Sequence, residues 1–200
     1  MPDTTATPTR HRILECAETL FGQRGYDAVA VADIARACEV STALIYYHFA
    51  DKESLLQALV DRASEVFDGP VNTALRAPGT PRQRIERFIS AWIVAVHDHA
   101  SLVRILVRPL ADPAGPLSAE LLTRISATVG ELAETIAEGI EAGEFSPEVD
   151  PWLAAECLYG LVNTRVAAGV LEVPYEERAR SDTDSVTAFV TRVFFEGIAR

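Results

Sequence analysis

Apolar residues recur at helical spacing along almost the whole chain, and no segment alternates as a half-buried strand would. Ile13, Cys16, Ala17 and Leu20 fall at i, i+3, i+4 and i+7, which predicts a helix over 9–23 ended by Gly25. Val31, Ile34, Ala35 and Cys38 repeat the spacing over a short second helix. Ser41 is placed to cap a third over 42–48, and Asp51 a fourth that runs to about Phe67. Asp68-Gly-Pro70 is expected to stop that fourth helix, which leaves 71–80 as a connector. Further helices are predicted over 81–98, with Ile85, Phe88, Ile89, Trp92 and Val96 inward, over 101–110 and over 118–142. The run Ala111-Asp-Pro-Ala-Gly-Pro116 is a loop. Asp150-Pro151 is a cap with proline at the first helical position, opening a helix to about Leu171. Asp182 or Asp184 opens the last helix. The expected fold class is all-α.

The last two helices carry more apolar surface than one small core needs. Between Pro151 and Leu171 the only charges are Glu156 and Arg165, and small residues sit beside large apolar ones. A helix apolar on most sides is buried on most sides. The final helix adds Val186, Phe189, Val190, Val193, Phe194, Phe195 and Ile198. The expectation is a homodimer with a four-helix interface across a two-fold axis, using Gly160, Phe189 and Val193.

Composition narrows the classes. With 48% apolar and 24% charged residues in 200, a folded chain is expected, and no apolar run approaches the roughly 20 residues of a membrane span. No membrane partner is expected. Residues 1–9 have no apolar core and read as a tail rather than a signal peptide. Cys16, Cys38 and Cys157 are odd in number and far apart, which suits thiols in a reducing cytoplasm, with Cys16 and Cys157 expected as buried packing. His97 and His99 at i and i+2 point to different helix faces, so no metal is expected there. No nucleophile-base order and no glycine-rich phosphate loop stands out, so neither an enzyme nor a cofactor is expected. The net charge of −11 argues against a nucleic-acid partner unless the cations cluster. Residues 1–62 hold six cations against nine acids.

Helices two and three, joined by Glu39-Val-Ser41, have the lengths of a helix-turn-helix. On helix three, Leu44, Ile45 and Phe49 can face a core, while Thr42, Ala43, Tyr46, Tyr47 and His48 offer hydroxyls, rings and an imidazole to solvent. Lys52, the only lysine, stands in the first turn of helix four, where a cation opposes the helix dipole. A phosphate held by helix N-terminal amides and the ammonium together would resolve that conflict.

Ile34-Ala35, Val40-Ser41, Ile45-Tyr-Tyr-His-Phe49, Lys52-Glu53 and Leu55-Leu56, with Phe21 and Gly25-Tyr26 before them, resemble the N-terminal domain of the tetracycline-repressor-like (TetR) family of bacterial transcriptional regulators. The resemblance covers about residues 9–60. It implies a three-helix DNA-binding domain (1–52 with its tail) followed by a six-helix ligand-binding and dimerisation domain (53–200). It further implies that Thr42 and Ala43 read base edges, that Tyr46, Tyr47, His48 and Lys52 grip phosphate and seat the helix, and that Arg10 and Arg12 reach flanking backbone. Ala30 stands where the family has a capping hydroxyl, Ala43 where glycine is common, and Glu39 where the turn has glycine.

A ligand pocket is expected among helices five to eight, lined by Phe88 and Trp92 at i and i+4 and by Tyr159, Asn163 and Val166 on one helix face. Asn163, polar in an apolar stretch, needs a partner. The resulting expectation is a cytoplasmic, homodimeric repressor that binds a near-palindromic double-stranded operator and is released by a small, mostly apolar effector. The alternative is an all-α small-molecule-binding protein that has lost DNA reading.

Overall fold

The computed structural model describes the backbone of residues 8–111, 116–170 and 182–198, and the side chains of 8–106, 119–163 and 182–198. Among the described residues there are nine helices and no strand: α1 (Pro8–Arg24), α2 (Val31–Ala37), α3 (Thr42–His48), α4 (Lys52–Arg76), α5 (Pro81–Asp98), α6 (Ala100–Ala111), α7 (Pro116–Glu141), α8 (Pro151–Val170) and α9 (Thr183–Ile198). The caps are those the residue types dictate. The Leu44 N–H donates to Ser41 Oγ (3.2 Å), Ser54 N–H to Asp51 Oδ1 (2.7 Å), Leu153 N–H to Asp150 Oδ1 (2.9 Å) and Ser185 N–H to Asp182 Oδ1 (2.8 Å). Asp182 is thus the residue that opens α9.

One expectation fails. Helix four does not stop at Asp68-Gly-Pro70; it continues to Arg76 with Pro70 inside it, and the connector shrinks to 77–80. A proline in a helix interior removes one backbone hydrogen bond and costs about 3 kcal/mol. Here Gly69 and Pro70 face solvent, while Phe67, Val71, Ala74 and Leu75 carry the buried stripe onward at i, i+4, i+7 and i+8. Burying those side chains at about 1.5–3 kcal/mol for each large one outweighs the lost bond.

The long α4 joins two apolar clusters. Its first half packs with α1–α3 around Ile13, Ile34, Ile45, Leu55 and Leu59. Its second half packs with α5, α7, α8 and α9 around Leu75, Phe88, Leu132, Leu158 and Phe194. α6 belongs to the first cluster through Leu102 and Ile105. It lies so close to α1 that a Cβ built on Gly22 would sit 3.1 Å from Ser101 Cβ. The three-helix head therefore touches the rest of the molecule through α4 and α6.

Candidate functional site: a DNA-reading head and an apolar cleft

The head is built from the turn outward. At the end of α2 the Val40 N–H donates to Ala35 O (3.0 Å) and the Glu39 N–H to Arg36 O (3.3 Å). This paired closure requires a left-handed residue after the cap. Glu39 fills that place with φ 55°, the only positive φ at a non-glycine residue among the described residues. The same closure at the end of α7 is filled by Gly143, φ 74°. At the other end of α2, Ala30 offers no side-chain acceptor, and the helix is closed from inside by Asp33, whose Oδ2 accepts the Ala30 N–H at 3.1 Å. That bond, with help from Arg36, holds the Asp33 carboxyl below its ordinary range.

α3 is seated by Ile45 and Phe49, both buried, and presents Thr42 and Ala43 to solvent. Tyr46 and Tyr47 are 54% and 81% exposed, an unusual cost for two large rings on one short helix. The Tyr47 ring meets His48 edge-on at 5.1 Å, and the Arg10 guanidinium lies 4.9 Å over the Phe49 ring. Lys52 Nζ sits 4.0 Å from the Tyr26 centroid and 5.8 Å from that of Phe21, so an aromatic platform fixes the ammonium. The sequence reading missed this platform, although Phe21 and Tyr26 were already in view. It also gave the first-turn amides of α4 a phosphate role. The Asp51 carboxylate accepts the Ser54 N–H, and its bonds to Ser54 draw its pKa down. The Ser54 N–H is therefore not free for a phosphate.

The second feature is a cleft between α4, α5, α6, α7 and α8, with about 680 Å³ of empty space including its mouth. Its walls are mostly apolar: Phe67, Trp92, Val96, Leu106, Leu121 and Ile125. Of the expected pocket residues, Trp92, Tyr159 and Asn163 line it. Phe88 does not; it is fully buried and stacks behind Trp92 with centroids 6.0 Å apart. The side chain of Val166 lies outside the described residues. Asn163 finds its partner in its own helix, donating from Nδ2 to Tyr159 O at 2.7 Å. Burial pushes the Tyr159 hydroxyl up to about 12. At the mouth, Arg124 bridges Asp68 (2.9 Å) and Glu120 (2.7 Å). Phe67, Asp68 and Arg124 were not foreseen. Phe67 and Asp68 fall where the sequence predicts the end of helix four, and a lone arginine within α7 carries no signal in sequence.

The third feature is an exposed apolar face. On α8, Leu153, Cys157 and Gly160 point outward while Ala154, Ala155, Leu158 and Val162 point in. Cys157 is therefore exposed, not the buried packing residue expected; it falls on the outward stripe. On α9, Phe189 (57% exposed), Val193 and Gly197 form a matching outward stripe. Among the described residues no group of three His, Cys, Asp or Glu side chains could hold a metal, and no single helix is long and apolar enough to cross a membrane.

Residues 13–59 match the family model for bacterial regulatory proteins, tetR family, and residues 78–166 match that for a tetracyclin repressor-like C-terminal domain. Among curated relatives, the HTH-type transcriptional regulator UidR of Escherichia coli K12 is 27% identical over 163 residues, covering 79% of this chain and 80% of that protein. The HTH-type transcriptional repressor DhaR of Mycobacterium sp. GP1 is 30% identical over 156 residues, covering 76% and 77%. Among solved structures, the ketosteroid transcriptional regulator KstR2 of Mycobacterium tuberculosis superposes with a TM-score of 0.80 at 20% identity, covering 98% and 97%. AibR, solved in complex with isovaleryl coenzyme A and operator DNA, superposes with a TM-score of 0.77 at 24% identity, covering 92% and 97%.

Proposed function

This chain belongs to the tetR family of bacterial regulatory proteins, a family of transcriptional regulators, and from that premise we propose that it is a homodimeric repressor of a near-palindromic operator, released by a small, mostly apolar effector. One observation carries the reading. A helix-turn-helix whose third helix turns Thr42, Ala43, Tyr46 and Tyr47 outward is joined by the unbroken α4 to an apolar cleft. α4 supplies Lys52 at the DNA end and Phe67 and Asp68 at the cleft end, so a shift of α4 on effector binding reaches the reading head.

In this reading Thr42 and Ala43 approach base edges, while Tyr46, Tyr47, His48 and Lys52 meet the backbone. The outward stripes of α8 and α9, with Gly160, Phe189 and Val193, pair with those of a second copy. We assign the chain no catalytic role and place it in the cytoplasm, where its DNA lies. The net charge of −11 and the acidic Glu39 in the turn favour the second reading, a ligand binder without DNA reading. Selection from a random duplex pool at low salt separates the two. Enrichment of a near-palindrome supports the repressor, and no enrichment supports the second reading.

A further inference from the structure

We propose that the cleft takes an uncharged effector, an aromatic or alicyclic body carrying one hydrogen-bond-accepting oxygen, and that Trp92 Nε1–H is the donor that recognises it; the inference rests on the reading of this cleft as the effector site. Trp92 is 8% exposed, and its Nε1 is buried with no hydrogen-bond partner. An indole has one donor and no acceptor, so nothing else on the side chain offsets the loss. Buried donors are normally satisfied, and this orphan belongs to a side chain that lines the apolar cleft, which points to a partner that enters the cleft.

Three other polar side chains on the wall already donate within their own helices. Ser64 Oγ donates to Val60 O (3.0 Å), Thr128 Oγ1 to Arg124 O (3.2 Å) and Asn163 Nδ2 to Tyr159 O (2.7 Å). Rings surround the orphan: Phe67 lies 6.0 Å and Tyr159 5.1 Å from Trp92, centroid to centroid. They favour a flat or compact apolar body. The mouth decides the charge. Arg124 is held between Asp68 and Glu120, two carboxylates to one guanidinium, so among the described residues the cleft offers no spare cation to an anionic head. A polyanionic acyl-coenzyme A, such as the one in the AibR complex, is a poor fit to that balance.

Three probes with one shared skeleton test this by calorimetry on the full chain without DNA: benzophenone, which has a carbonyl acceptor; diphenylmethane, which lacks it; and 4-benzoylbenzoate, which adds a carboxylate. Benzophenone should bind roughly 3- to 10-fold more tightly than diphenylmethane, the factor of one net hydrogen bond. 4-Benzoylbenzoate should bind about tenfold or more weakly than benzophenone, and Asp68→Asn should narrow that gap. In Trp92→Phe the ketone should fall to the level of diphenylmethane, which itself should not change.

The inference is overturned if the carboxylate binds as tightly as the ketone, if the ketone keeps its advantage in Trp92→Phe, or if none of the three binds. Should Trp92→Phe fail to fold, the three probes on the parent chain still decide. Release of a bound duplex is measured separately by anisotropy. If benzophenone binds as expected yet leaves the duplex complex intact, the effector reading fails while the chemistry of the cleft stands.

Discussion

Replacing Glu39 tests the turn of the reading head in two independent ways. Its φ of 55° puts a Cβ in the left-handed region, at a cost of roughly 1–2 kcal/mol that glycine does not bear. Glycine also loosens the unfolded chain, which gives back about 0.7 kcal/mol. The expected net gain for Glu39→Gly is about 0.8 kcal/mol, or roughly 2 °C in Tm for a chain of this size. The substitution also removes one exposed negative charge per subunit from the head. Glu39→Gln separates the two effects, because it removes the charge and keeps the Cβ. Both variants should bind the operator more tightly at low salt, and only the glycine variant should be more stable. Circular-dichroism melts and denaturant titrations give the stability; anisotropy at several salt concentrations gives the affinity. A glycine variant no more stable than the glutamine variant would refute the strain argument, whatever happened to DNA binding.

Lys52→Ala should weaken all duplexes alike and lower the slope of log affinity against log salt by about one per subunit, whereas Thr42→Ala should change preference among operator variants at an unchanged slope. Equal slopes for the parent and Lys52→Ala would reassign the ammonium to its Tyr26 platform alone. Val193→Asp should convert the dimer to a monomer by light scattering, since an unpaired charge in a dry interface costs several kcal/mol; a monomeric parent would refute the interface. Cys157, on the same face, should react slowly with a thiol reagent in the parent and quickly in Val193→Asp. Cys38, buried and with its thiol pushed up to about 12, should stay unreactive in both until the chain unfolds. Tyr159 ionises near 10 when unfolded and near 12 when folded, so ionisation favours the unfolded chain in between. Stability should fall as pH climbs from about 10 to about 12, and Tyr159→Phe should flatten that fall in alkaline melts.

The helices were legible in sequence because their caps and stripes are local properties. Ser41 predicts the start of α3, and Ile45 with Phe49 predicts its inward side. The reading of α4 failed at Pro70 because a proline's local cost is visible and the burial of Val71, Ala74 and Leu75 against other helices is not. That error also hid Phe67 and Asp68 from the cleft. The helices of the head and the outward side of α3 were legible because the head is one continuous segment. The cleft was only partly so, since Asp68, Trp92, Arg124 and Tyr159 come from four helices and meet only on folding. Phe88 and Trp92 share a stripe at i and i+4, yet one lies behind the wall and the other on it. Spacing gives a face and not a depth.

The central claim is that this chain reads DNA as a pair of heads. It is tested most directly by titrating the purified chain into a fluorescein-labelled duplex, chosen by selection from a random pool, at low salt. The account predicts saturation at two chains per near-palindromic duplex, with tight binding lost on scrambling either half-site. Failure to enrich any sequence, or binding that ignores scrambling of both half-sites, would contradict it.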